Sequence, residues 1–201
     1  NAGSAWVDIQ GITAHPMSSK GQLLNPILVA HDFIGMLDRG QTPEFTEKTE
    51  GFVWVNGIQG GPAKCRVSLK LRDHSLKRYE EKKTLIRAIV DCLRVRYPRA
   101  KINLTIEDVY GNIADAIKPE NSACIDMLRR AMEIEHVTVK DIAMRGGTDG
   151  SFISTQGIPT PNYFTGAHNF HSACEFMPMS SWLKSLAVTL RLVELAAGVT
   201  K

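Results

Sequence analysis

The residues best suited to chemistry lie near the end of the chain, where His168, His171 and Cys174 follow one another at intervals of three. On a helix this spacing would place all three side chains on one face, and imidazole and thiolate groups are both zinc ligands. No second cluster of histidine, cysteine or carboxylate residues stands nearby in the sequence to complete a site. Ordinary loop and core residues therefore remain the alternative to a metal site.

A second candidate is the glycine-rich segment from Arg145 to Gly150, which reads Arg-Gly-Gly-Thr-Asp-Gly. Glycine lets backbone amides approach an anion closely, and the arginine adds a fixed positive charge. The segment lacks the Gly-Lys-Ser/Thr ending of a Walker loop and the glycine spacing of a dinucleotide loop. An anion-binding loop and a plain turn capped by Asp149 both fit the pattern.

The first half of the chain contains the elements that would have to position such groups. Alternating strands are predicted at 5–14, 51–58, 65–71 and 101–109, with helices opening at Asn25-Pro26 and at Ser75. The order strand, helix, strand, strand, helix, strand is that of the ferredoxin-like fold. We therefore predict an α+β unit in which a four-stranded antiparallel sheet carries two helices on one face.

The pattern changes after Pro119. Helices are predicted from Asn121 to Glu135 and from Ser180 or Ser181 to about Ala197, with a short strand at Val139–Ala143. So few short strands cannot form a self-sufficient doubly wound sheet. This second segment therefore reads as an incomplete αβα layer.

Composition points to an ordinary globular protein, with 43% hydrophobic and 22% charged residues and a net charge of +3. No apolar run reaches the length of a membrane span, so no membrane partner is expected. Four scattered cysteines do not indicate a disulfide framework, which favours the reducing cytoplasm. Residues 64–101 hold thirteen Lys or Arg against four Asp or Glu, which we interpret as a solvated helix face.

Three stretches together resemble the C-terminal part of the peptidase T family, tripeptide aminopeptidases with two catalytic zinc ions. The resemblance spans nearly the whole chain in the same order. The stretches are residues 15–25, residues 145–150 with 157–162, and residues 164–176, which include Phe-Thr-Gly-Ala-His-Asn-Phe-His.

The resemblance implies a domain organisation and a set of roles. Residues 4–112 would form a lid that also makes a homodimer, and residues 113–201 would be the return of the chain into the catalytic domain. His171 resembles a zinc ligand, and His15 resembles the lid histidine that polarises the scissile carbonyl in the partner's active site. The substrate's carboxylate and backbone would be held by Arg72, Arg145 and Asn169.

The family's remaining metal-binding motifs are not found in this sequence. No His-x-Asp motif occurs, and one histidine cannot hold two zinc ions. Cys174 also departs from the family, because many relatives have histidine there. We therefore expect a fragment of a longer enzyme that is inactive by itself and whose substrates are short peptides.

Three alternatives stay open at this point. A dipeptidase or an amide-cleaving deacylase of the same clan would share the lid and the metal ligands. A dimerisation module without catalytic ancestry would leave His15, Arg145 and His171 without a common purpose. An RNA-binding module would use the aromatic residues at 51–55, but these fall on the second strand and not on the third, so no nucleic-acid partner is expected.

Overall fold

The computed structural model describes residues 1–199, which form two compact units. The first unit comprises Asn1–Asn112 together with Ala143–Gly147. The second comprises Ile113–Ile142 and the chain from Thr148 onward. The chain therefore leaves the first unit, returns to it for five residues and leaves it again.

A four-stranded antiparallel sheet forms the framework of the first unit, in the order β2-β3-β1-β4. With one helix after β1 and another after β3, this is the arrangement of the predicted ferredoxin-like fold, which is confirmed. The strands are β1 Ala2–Gln10, β2 Phe52–Gly60, β3 Lys64–Arg72 and β4 Lys101–Tyr110.

Two helices cover one face of this sheet: α1, Pro26–Gly35, and α2, Leu76–Arg96. Asn25 caps α1 by accepting a bond from the Ile27 amide, and Ser75 caps α2 by accepting one from the Arg78 amide. The helices and the sheet bury a common apolar core between them. Its main members are Ala5, Val7, Ile9, Val67, Leu69, Leu71, Val29, Phe33, Ile86, Val90 and Leu93.

Alternation along each strand sends the other side chains to the opposite face, which no helix of the first unit covers. We call this the open face. It is defined by the side chains of Ser4, Trp6 and Asp8 on β1, and of Lys64, Arg66, Ser68, Lys70 and Arg72 on β3.

Two details of α1 differ from expectation. The apolar spacing of the sequence predicts an inward stripe of Ile27, Ala30, Ile34 and Leu37. Ile27 is instead 41% exposed, and Val29 and Phe33 are buried. Because glycine often ends a helix, the sequence predicts an end at Gly40, whereas the helix ends at Gly35. The carboxylate of Asp38 accepts a bond from the Gly40 amide and starts a separate turn, which explains the early end.

The described part of the second unit is helical: α3 Ile113–Ala116, α4 Ala123–Ile134, α5 Asp149–Thr155 and α6 Met179–Ala196. Helices α4 and α6 pack around Leu128, Ala131 and Val188. The strand predicted at Val139–Ala143 is wrong, because that segment pairs with no neighbour that would make it a strand. Among the helices of residues 1–199, none is long and apolar enough to cross a membrane.

Candidate functional site

His15 lies in the loop that follows β1, at the start of a 3₁₀ turn over Pro16–Ser18. Its ring is exposed, and Nδ1 accepts a hydrogen bond of 3.2 Å from the Met17 amide. Because Nδ1 is an acceptor here, the neutral imidazole carries its proton on Nε2. The turn therefore leaves an N–H donor available, which is what the stabilisation of a developing oxyanion requires.

Arg72 is the last residue of β3, and its side chain belongs to the open face. Nη1 donates to the carbonyl of Leu71 at 2.9 Å and to that of Gly3 at 3.4 Å. The guanidinium also lies 5.3 Å from the centre of the Tyr110 ring. These contacts fix the group while leaving Nε and Nη2 free to bind a carboxylate.

Arg145 comes to the same end of the sheet through the five-residue return of the chain. Its Nη1 donates to the Thr46 hydroxyl at 2.6 Å, and its guanidinium lies 5.3 Å from the Phe52 ring. Phe52 is directly opposite Arg72 in the β2–β3 register. The structure thus places the guanidinium of Arg145 over the ring of Phe52, the cross-strand neighbour of Arg72.

Gly147 explains how the returning segment can lie so close to the sheet. A β-carbon at this position would stand 1.7 Å from the Tyr110 hydroxyl, so no larger residue fits without movement. The glycine-rich motif therefore provides a close approach and positions Arg145. The alternative of a turn capped by Asp149 is not found: Thr148 is the N-cap of α5 and makes no side-chain capping bond.

His15 is far from the two arginines within one chain. Arg72 pairs with Ala2 at the beginning of β1, whereas His15 follows Gln10 at its end. The nine residues of β1 span about 26 Å at 3.3 Å per residue. His15 and the arginines consequently cannot contact one small substrate from the same chain.

Asp73 follows Arg72 directly but does not neutralise it. The carboxylate is buried on the helix side and accepts bonds from the Ser75 amide, Arg78 and Lys82. Burial alone would raise the pKa of Asp73. The bonds from Lys82, the Ser75 amide and Arg78 outweigh burial and hold that pKa below its ordinary value of 3.8.

His171 and Asn169 lie in a loop of the second unit that is closed by paired backbone bonds between His168 and Phe176. Both adopt left-handed backbone conformations, with φ of 62° and 56°, which non-glycine residues seldom do. The Glu175 carboxylate accepts a bond of 3.0 Å from the His171 amide, and Asn169 Nδ2 donates to the Cys174 carbonyl.

This loop fits one metal ligand and not a complete site. The segment is not helical, so the common face that a helix would give His168, His171 and Cys174 is absent. The His168 ring stacks on Phe176 at 5.1 Å, whereas the exposed ring of His171 bonds to nothing among residues 1–199. No group of three or more His, Cys, Asp or Glu side chains in that range is arranged to hold a metal ion.

Several residues that shape these sites were not predicted as functional. Phe52 and Tyr110 support the two guanidiniums, and Glu175 holds the His171 loop. The first two act through strand register, which the sequence alone does not give. Glu175 stands four residues after His171 and within the stretch 164–176 that resembles peptidase T, and both facts were available signals.

Residues 1–101 match the peptidase dimerisation domain family, M20_dimer. The chain belongs to this family of domains, which are parts of M20 peptidases.

The sequence similarity to curated relatives extends along almost the entire chain. A peptidase T-like protein of Yersinia pestis is 46% identical over 189 residues, which are 94% of this chain and 46% of the relative. Peptidase T of Halothermothrix orenii is 38% identical over 98% of this chain, which corresponds to 48% of the length of that relative. The resemblance to peptidase T is confirmed, and the chain spans about half the length of these relatives.

Solved structures agree with the fold. A tripeptidase from Staphylococcus aureus matches with a TM-score of 0.75 at 22% identity, over 98% of this chain and 52% of that one. Aminopeptidase PepT from Bacillus cereus also gives a TM-score of 0.75, at 16% identity and with the same coverage. At these identities the likeness concerns the fold alone.

Proposed function

We propose that this chain is the C-terminal part of a peptidase T-like aminopeptidase that releases N-terminal residues from short peptides such as tripeptides. The observation that carries the proposal is the similarity to relatives named peptidase T, which covers 94–98% of the chain. Residues 4–112 then serve as the lid and dimerisation domain, and residues 113–201 serve as a segment of the catalytic domain.

The arginine pair supplies the substrate contacts in this proposal. Arg72 and Arg145 bind the peptide's C-terminal carboxylate, because an arginine fork can donate to both carboxylate oxygens. Each guanidinium stays rigid through its aromatic ring and its neutral acceptors, so little side-chain entropy is lost on binding. Asn169 contributes a further hydrogen bond to the peptide, through the part of its side-chain amide that does not bond to the Cys174 carbonyl.

His15 acts on the substrate bound by the partner subunit. The length of the sheet supports this arrangement, because about 26 Å of β1 separates the His15 end from the arginine end. A second copy of the lid can bring His15 to the arginines, whereas the same copy cannot. Nε2–H then donates to the carbonyl oxygen of the scissile bond as negative charge develops on it.

His171 is proposed as the one zinc ligand that this chain contributes, through its exposed ring. Zinc, when bound, would supply Lewis-acid chemistry at the scissile carbonyl and would lower the pKa of its bound water. Glu175 holds the backbone of His171 in its left-handed conformation and so orients the imidazole. The other ligands come from residues outside these 201, and a dinuclear metal centre is named for an M20 peptidase of Bacillus subtilis.

The proposed setting is the cytoplasm, with a short peptide and a second copy of the chain as partners. Four cysteines without disulfide bonds support a reducing compartment.

The test is to purify the complete enzyme and, separately, the 201-residue chain. The complete enzyme should release the N-terminal residue of a tripeptide, lose this activity to a chelator and regain it with zinc. Dipeptides and acylated amino acids, assayed in parallel, test the related dipeptidase and deacylase activities. Tripeptide hydrolysis by the 201-residue chain at the rate of the complete enzyme would contradict the proposal.

A further inference from the structure

Three cations at one end of the open face have only neutral partners among the described residues. Arg72 and Arg145 bond to carbonyls and to the Thr46 hydroxyl, and Lys70 donates from Nζ to the Ser4 hydroxyl at 2.9 Å. None of the three forms an ion pair within residues 1–199. Three positive charges are thus held in place without a counter-charge.

Some nearby cations of the same unit are neutralised. Arg66 lies on the same strand and face as Lys70, and its guanidinium makes two bonds of 2.6 and 2.8 Å with Asp8. On the helix side, Arg78 and Lys82 share Asp73. Lys70, Arg72 and Arg145 thus differ from Arg66, Arg78 and Lys82 in having no acidic partner.

The position of Lys70 relates it directly to the arginine pair. It precedes Arg72 by two residues on β3, so the two α-carbons are about 7 Å apart and both side chains belong to the open face. Glu107 of β4 stands on the far side of Ser4, two strand spacings or about 10 Å from Lys70, and forms no ion pair with it.

We propose that Lys70 is a specificity-determining residue that selects peptides ending in glutamate, an inference that rests on the proposed function. The α-carboxylate binds Arg72 and Arg145, and the γ-carboxylate binds the Lys70 ammonium. The two carboxyl carbons of a C-terminal glutamate are four bonds apart, about 5 Å when extended. Flexible lysine and arginine side chains can meet that spacing from α-carbons about 7 Å apart.

The half-buried setting of Lys70 strengthens this selection. Its ammonium lies against Ser4, which is 4% exposed, and the Lys70 backbone pairs with Trp54 on the neighbouring strand. A carboxylate that arrives there forms an ion pair with the ammonium in a partly dehydrated place, whereas an amide oxygen accepts a bond from the ammonium without supplying a counter-charge. Glutamate and glutamine have the same shape, so the charge alone distinguishes them.

The experiment compares kcat/KM for Ala-Ala-Glu and Ala-Ala-Gln with the complete enzyme. We expect the wild type to prefer the glutamate peptide roughly tenfold, Lys70→Arg to keep the preference, and Lys70→Met to reduce the ratio to about one. The matched control is Lys64→Met, a lysine of the same strand and face about 20 Å away, which should leave the ratio unchanged.

The wild-type ratio tests the inference without any substitution. Equal use of both peptides by the wild type overturns it, and so does an undiminished preference in a folded Lys70→Met enzyme. Either result leaves the proposed aminopeptidase function standing. Failure of the complete zinc-loaded enzyme to hydrolyse either peptide overturns the proposed function and this inference together.

Discussion

The imidazole of His15 shows how a short turn can define a side chain's chemistry. The Met17 amide occupies Nδ1, and the ring then presents a donor and not an acceptor. A general base would need a free acceptor nitrogen, so this geometry favours oxyanion stabilisation over proton abstraction.

Replacing His15 by alanine should therefore lower kcat roughly a hundredfold while KM changes little, because the lost bond is strongest in the transition state. Steady-state kinetics on a tripeptide measures both constants. The control is His31→Ala, which removes a histidine that is 81% exposed on α1. A drop confined to KM would contradict the oxyanion role.

His171→Ala should instead weaken zinc binding, since a ligand that contacts the metal directly is lost. Zinc retained after dialysis against a weak chelator is the measurement. His31→Ala again serves as the control and should retain the wild-type zinc content. Full zinc occupancy in the His171 variant would show that this residue is not a zinc ligand.

At the scale of elements, the sequence predicted the helices and strands well. It predicted poorly which distant residues the fold brings next to each other. The apolar spacing of the sequence predicts five inward residues on α2, and all five are buried, because a helix of 21 residues repeats that spacing often enough to reveal it: Tyr79, Ile86, Ile89, Val90 and Leu93. The ten residues of α1 offer fewer repeats, and there Ile27 was misplaced. Arg72 and Arg145 meet only through strand register and a return of the chain, neither of which is a local property.

The start of α2 depends on the buried carboxylate of Asp73. Asp73→Ala should lower the free energy of unfolding of the first unit by about 3 kcal/mol, because Lys82, whose side chain is 11% exposed, loses its counter-charge. Asp91→Ala breaks an exposed pair with Arg94 and should cost less than about 1 kcal/mol. Urea denaturation of the two variants compares them, and equal losses would contradict the buried pair's importance.

The same carboxylate gives a pH dependence. The pKa of Asp73 is lower in the folded state than its ordinary 3.8, so its contribution is complete above that value and is lost as pH falls below it. The stability difference between wild type and Asp73→Ala should therefore shrink in acid. Unfolding curves from pH 6 to pH 2.5 measure this, and a constant difference would be inconsistent with the lowered pKa.

At the scale of the whole molecule, the separation of His15 from the arginines makes each proposed active site a product of two chains. Mixing His15→Ala and His171→Ala enzymes should restore activity towards a quarter of wild type. Half of all randomly formed dimers are mixed, and each mixed dimer has one intact site of two.

The measurement is tripeptide hydrolysis after subunit exchange, with exchange verified by differently tagged chains. Each variant incubated alone provides the baseline. Exchange without any recovery of activity would place His15 in its own subunit's site, against the distance along β1.

The return of Ala143–Gly147 to the first unit also matters during synthesis. A ribosome releases the sheet and its two helices first, and thirty further residues, Ile113–Ile142, must follow before Arg145 emerges. At 5–20 residues per second this delay is roughly 1.5–6 s. During that time the Phe52 ring lacks the guanidinium that lies over it in the finished fold. The nascent protein therefore passes through a stage in which its sheet is complete while Arg145, the second arginine of the proposed substrate site, is still missing.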